Sequence, residues 1–93
     1  MSYELAFHPD ALLEWRKLDE TVRTQFKKKL AEHLQHPRVP SAQLAGHKDR
    51  YKIKLRSVGF RLVYEVRDTV LLVTVVAVGK RERNAVYRAA AKR

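Results

Sequence analysis

The spacing of apolar residues along this chain changes character three times, and each change marks a new element. Tyr3, Leu5 and Phe7 alternate with Glu4 and Ala6, the two-residue period of a short strand over residues 2–7. From His8-Pro9-Asp10 the period lengthens. Pro is comfortable in the first turn of a helix, and Leu12, Trp15 and Leu18 make one stripe of a helix running to about Leu18. Asp19 is a fair N-cap for a second helix over residues 20–35, where Val22, Phe26, Leu30 and Leu34 recur every fourth residue as a core-facing stripe. The Leu18-Asp19-Glu20 corner is short enough to fold the two helices into an antiparallel hairpin.

Residues 36–50, HPRVPSAQLAGHKDR, break the pattern with Pro37, Pro40 and Gly46, and Leu44 is the residue able to pin this loop to a core. A connection of this length in a small domain is often a docking or functional surface. Strands follow at about 50–56, 60–67 and 70–78, joined by Ser57-Val58-Gly59 and Arg67-Asp68-Thr69. The last is apolar almost throughout, as expected of a central strand covered on both faces. Asn84 stands as N-cap of a short C-terminal helix through Lys92. The pattern therefore predicts one α+β domain over residues 1–93: a small antiparallel sheet of about four strands, an N-terminal helical hairpin and a C-terminal helix.

The first two strands of the final three alternate cation and hydrocarbon. A tight hairpin pairing residues whose numbers sum to an odd value puts Ile53, Leu55, Leu62 and Tyr64 on a core face. Lys52, Lys54, Arg56 and Arg61 then share the other face, with Glu65 the nearby anion. Gly79-Lys80-Arg81-Glu82-Arg83 arrives at one end of the same sheet. Like charges on adjacent strands repel, so folding alone gives no reason for them.

Charge distribution sharpens this picture. Residues 1–47 hold seven cations and six anions, whereas residues 48–93 hold thirteen cations and four anions. A one-sided excess of this kind indicates a polyanion surface, with nucleic acid the first candidate. Membrane lipid fits less well, because the cations lie on strands and not on an amphipathic helix; an acidic protein partner is compatible with the same surface. A hydrophobic content of 45% excludes a disordered chain. The absence of Cys removes disulfides, thiolate nucleophiles and Cys-based zinc sites. MSYELAFHPD does not read as a signal peptide, and VLLVTVVAV at 70–78 is about half the length of a membrane helix. A soluble, cytoplasmic domain is expected.

Alternative readings of these residues are ordinary. A solvated edge strand also carries Lys, the 79–83 run also reads as a basic turn, and Tyr87 also reads as packing for the last helix. Tyr51, Phe60, Tyr64 and Trp15 are assigned to the core, and His8, His33, His36 and His47 have no metal-ligand spacing. With no paired carboxylates, nucleophile elbow or glycine-rich phosphate loop, an enzyme built from this chain works with Lys, Arg and Tyr. Those side chains suit RNA cleavage. Arg offers a bidentate fork to phosphate, and a Lys crowded by cations loses its proton more readily than a free one at about 10.4.

The segments EWRKL (14–18), KKKL (27–30), YKIKLRSVGFRLVYEV (51–66) and VGKRERNAVY (78–87) closely resemble the RelE family of bacterial type II toxin–antitoxin toxins, in order along nearly the whole chain. The resemblance implies a microbial-ribonuclease-like fold and a metal- and cofactor-independent mRNA interferase. Such toxins bind in the ribosomal A site, against ribosomal RNA, and cut mRNA there by 2′-hydroxyl attack. It implies catalytic roles for Lys52, Lys54, Arg61, Arg81 and Tyr87, with Lys52 as base assisted by Lys54, Arg61 on the phosphorane, Arg81 on the leaving group and Tyr87 orienting the nucleotide. Lys27, Lys28, Lys29, Arg56, Lys80 and Arg83 would hold RNA. Partners implied are a cognate antitoxin, the ribosome with its mRNA, and operator DNA through the antitoxin alone. One departure is Ala45, where close members often carry Arg. Two alternatives are a gyrase-poisoning relative on the same scaffold and a non-catalytic RNA-binding module.

Overall fold

A computed structural model describes residues 2–93. Its elements are β1 (Glu4–Phe7), α1 (Pro9–Arg16), α2 (Glu20–Gln35), a 3-10 turn (Pro40–Ala42), β2 (Arg50–Leu55), β3 (Phe60–Arg67), β4 (Leu72–Lys80) and α3 (Ala85–Ala91). Helix α1 begins as its sequence suggests, with Pro9 in the first turn and His8 Nδ1 accepting the Asp10 N–H at 3.1 Å. The four strands form one sheet in the order β1-β4-β3-β2. The expected all-antiparallel sheet holds for β2, β3 and β4, but β1 joins the edge parallel to β4. The helical hairpin between β1 and the later strands carries the chain back to make a parallel pairing possible.

The β2–β3 register is the one the parities demand: Ile53 faces Leu62 and Lys54 faces Arg61. Tyr51, Ile53, Leu55, Leu62, Tyr64 and Val66 bury one sheet face against Trp15, Val22, Phe26 and Leu30 of the two helices. On the second face Val63, Val76 and Ala77 pack beneath Val86 and Ala90 of α3, with Leu44 of the long loop at the margin. Strand β4 is thus covered on both sides, which its unbroken apolar sequence requires.

Several element ends differ from the pattern by one or two residues, α1 closing at Arg16 and β4 running on to Lys80. The last strand starts at Leu72 and not at Val70, because Val70 (62% exposed) and Leu71 (φ +50°) form the turn that returns the chain from β3. Hydrophobicity alone made that turn look like strand. Asn84 does precede α3, yet it lies in the left-handed region (φ +59°) and its side chain caps nothing.

A bulge in β4 has the larger consequence. Val63 pairs with Ala77 while the next residue, Tyr64, pairs with Val75, leaving Val76 as the extra residue. Val76 and Ala77 therefore both join the α3 side, and Val78 returns to the helical-hairpin side. Odd-numbered residues lie against the helical hairpin before the bulge and on the opposite face after it. The loop over residues 36–50 is fastened by Arg38, which donates to Asp68 Oδ2 and Asp49 Oδ1 at 2.9 Å each and to the Tyr51 hydroxyl at 3.3 Å. Among the described residues no helix is long and apolar enough to cross a membrane.

Candidate nuclease site

The bulge brings Gly79 opposite Arg61 on the cationic face, and the chain beyond it delivers Arg81 to the same end of the sheet. There the backbone N–H of Arg81 donates to the Gly59 carbonyl at 2.7 Å. Gly59 sits at φ +70°, a conformation that glycine adopts at no steric cost, so the hairpin turn can present that carbonyl. Lys54, Leu55, Arg56, Phe60, Arg61 and Arg81 line a cleft of about 230 Å³ at this corner.

Within the site Arg61 is half-buried, donates to the Tyr87 hydroxyl at 3.1 Å and lies 5.3 Å from the Tyr87 ring centroid. Two residues distant along the chain are thereby joined, one from β3 and one from α3. Helix α3 is itself held by arginines. Arg50 donates to the Ala90 carbonyl and to Glu65, while Arg93 donates to both Glu14 oxygens at 2.8 and 3.0 Å and to the Val76 carbonyl at 3.0 Å.

The electrostatics of the cleft are one-signed. Among the described residues, the salt bridges engage Arg38, Arg50, Arg67 and Arg93, and none engages Lys52, Lys54, Arg56, Arg61 or Arg81. The Lys54 ammonium is held below the usual lysine range, first by the charge of Lys52, then by partial desolvation and by Arg61, Arg56 and Arg81. Such a site can bind a phosphate with its oxygens between the guanidinium groups and accept a proton at a lysine that gives up its own more easily.

Lys52, Lys54, Arg56 and Arg61 therefore share one face of the sheet, as their alternation predicts, and Arg81 and Tyr87 join them at its corner. Others do not. Lys80 pairs with Phe60 and alternates away from Gly79, and Arg83 sits in the turn before α3 at φ +46°. Lys27, Lys28 and Lys29 are exposed on α2, which packs on the opposite face of the sheet. Ala45 lies in the long loop beside Leu44, Gly46 and His47 and does not line the cleft. Sequence reasoning missed the fasteners Glu14, Arg38, Arg50 and Arg93, since nothing in a strand-like alternation distinguishes a paired arginine from a free one. Phe60, assigned to the core, packs against it from the end of β3 while remaining partly buried. His33 has a structural partner: the buried Tyr64 hydroxyl donates to the Pro37 carbonyl at 2.6 Å and accepts from His33 Nδ1 at 2.7 Å.

Residues 5–85 match the family described as the ParE toxin of the type II toxin–antitoxin system parDE. The mRNA interferase toxin RelE of Escherichia coli (strain K12) is 57% identical over 93 residues, covering 100% of this chain and 98% of that protein. The chain belongs to the RelE family of type II toxin–antitoxin toxins. Among solved structures of this RelE family, a variant of the E. coli toxin RelE in the free state superposes with a TM-score of 0.91 at 54% identity, covering 99% of this chain and 97% of that one. The toxin of the intact E. coli RelBE toxin–antitoxin complex superposes with a TM-score of 0.84 at 56% identity, covering 88% of this chain and all of that one. The whole RelE-like fold is thus present, with the cationic corner on it.

Proposed function

We propose that this chain is the toxin of a type II toxin–antitoxin pair and acts as an endoribonuclease on mRNA in the ribosomal A site. The observation that carries the reading is the cleft of Lys54, Arg61 and Arg81, with no carboxylate partner among the described residues and Tyr87 bonded to Arg61. The high identity to a protein named mRNA interferase toxin supports it.

In this mechanism Lys52, helped by Lys54, takes the proton of a ribose 2′-hydroxyl. The oxygen attacks the adjacent phosphorus, and the bond to the 5′-oxygen of the next nucleotide breaks. The products are a 2′,3′-cyclic phosphate and a 5′-hydroxyl. Arg61 and Lys54 stabilise the phosphorane, in which the negative charge on the phosphoryl oxygens grows. Arg81 assists the leaving oxygen through its field, since a guanidinium holds its protons too tightly to give one away. Tyr87, oriented by Arg61, holds the reacting nucleotide. Lys27, Lys28, Lys29, Arg56, Lys80 and Arg83 would meet the ribosomal RNA backbone, each contact weakening with salt.

The partner is an antitoxin that covers or disturbs the cationic corner, as the E. coli relative is found in complex with its own. Operator DNA would be bound through that antitoxin, and the cytoplasm, where ribosomes work, is the site of action. The test is cleavage of a ribosome-bound mRNA with an open A-site codon, run beside the same mRNA without ribosomes. Ribosome-dependent cutting with cyclic-phosphate ends, lost in Lys54→Ala and Arg81→Ala, is the expected result. Ribosome binding without cutting would leave an RNA-binding module, and binding to gyrase in its place would leave the gyrase-poisoning relative.

A further inference from the structure

Alternation along β2 puts Arg50 in one row with Lys52 and Lys54, on the cationic face. Its charge is nevertheless spent inside the fold. The Arg50 side chain is 13% exposed, donates from Nε to Glu65 Oε2 at 3.1 Å, and donates from its guanidinium to the Ala90 carbonyl in the last turn of α3. A cation on a last-turn carbonyl is a favourable way to hold a helix end. Helix α3 needs holding, because its seven residues, AVYRAAA, are too few to be stable alone and bring mostly methyl groups to the sheet. At its first turn Val86 lies over Gly79, its Cγ2 3.5 Å from where a Cβ would stand, and Tyr87 meets Arg61. Gly79 is opposite Arg61 and Arg50 is opposite Glu65, so α3 runs along this face from Arg61 towards Glu65.

We infer that Arg50 is a positioning residue for cleavage: braced by Glu65, it fixes where α3 lies along β3, and so where Tyr87 meets Arg61 and the reacting nucleotide. The inference rests on the nuclease reading above and adds to it a residue that does not itself touch RNA. Arg93 holds the chain beyond α3 to α1 and to β4. Arg50 instead holds the last helical turn to the two strands that carry Lys52, Lys54 and Arg61. Without Arg50, Val86 and Ala90 still give α3 an apolar seat, but apolar contacts are non-directional and leave the helix free to shift along it. A misplacement of about 1 Å is enough to slow a positioned reaction by about 100-fold. The loss should fall on kcat, since Lys52, Lys54 and Arg61 keep their places in the β2–β3 ladder.

A double-mutant cycle tests this, with cleavage of ribosome-bound mRNA measured well below the melting temperature of every variant. Arg50→Ala, Tyr87→Ala and the two together are compared with wild type in kcat and KM. Arg50→Ala is expected to lower kcat about 10- to 100-fold while KM stays within about twofold. With Tyr87 already Ala, removing Arg50 should cost little more, the non-additivity of two residues that act as one. A wild-type kcat in Arg50→Ala, or the same factor lost with and without Tyr87, would overturn the inference and leave the nuclease standing. So would a loss confined to KM that grows with salt, which would make Arg50 a phosphate contact. Failure of wild type to cut would remove both. Should Arg50→Ala not fold, Arg50→Lys enters the same cycle with the same expectations, since it keeps a charge beside Glu65 but lacks the planar fork that reaches both partners.

Discussion

Arg93 and Arg61 are both half-buried arginines, yet Arg93 lies against Glu14 and Asp10 while Arg61 stands opposite Lys54 and bonds Tyr87. The Arg93 guanidinium is spent within the fold, bonding both Glu14 oxygens of α1 and the Val76 carbonyl of the bulge. Around Arg61 the neighbours are Lys54, Arg56 and Arg81, and the charge is left for something outside the chain. Arg38 belongs with Arg93, as the hub of Asp49, Asp68 and Tyr51. One residue type thus serves two ends. A paired arginine is part of the scaffold, and Arg61, left unpaired but held by that scaffold, is where the proposed nuclease reading puts the chemistry.

The largest expected effect would come from the unpaired set. Arg81→Ala or Lys54→Ala should cut the cleavage rate on ribosomes by about 10²- to 10³-fold, the usual consequence of removing a group that stabilises transition-state charge. Their melting temperatures should stay level or rise, because a like-charge neighbour is removed. A variant that lost activity together with stability would break the comparison.

Next comes the paired set. Glu14→Ala strips Arg93 of its carboxylate and the Val78 N–H of an acceptor, and should cost about 1.5–3 kcal/mol in denaturant unfolding. Because α3 carries Tyr87, residual activity should fall as well, and restoring stability with an osmolyte should recover part of it. Arg38→Ala, whose ion pairs are more exposed, should cost less, about 1 kcal/mol or under. An Arg38 variant destabilised as far as Glu14→Ala would show that the loop fastener is part of the core.

The smallest effect is on pH. The native pKa of Lys54 lies below its unfolded value, so the unfolded chain binds more protons in the window between the two. Stability from this group is therefore gained as pH rises from the lowered value towards about 10.4. The melting temperature of wild type should climb in that window relative to Lys54→Met, and inorganic phosphate, by binding the corner, should raise the wild-type value at neutral pH. A variant that tracked wild type in both would mean the cations do not strain the fold.

Much of this molecule was legible in its residues. The helix stripe of Val22, Phe26 and Leu30 and the odd-sum pairing of Lys54 with Arg61 follow from periods of 3.6 and 2, and the start of α1 from the fit of Pro9 to a first helical turn. Those periods are local, since they depend on backbone geometry and on which side of an element must be hidden from water. The gathering of Lys52, Lys54, Arg56 and Arg61 on one face follows from the same rule.

What only the tertiary structure decided is non-local. The extra residue Val76 is invisible in an apolar run, yet it reverses the alternation of β4 and thereby sets which face Gly79 and Arg81 share. The parallel joining of β1, the turn at Val70 and Leu71, and the choice of Arg38, Arg50 and Arg93 as fasteners depend likewise on partners up to 79 residues away in the chain. Period reports what a residue must avoid; whether a cation is tied or free depends on which carboxylate the completed fold brings to it.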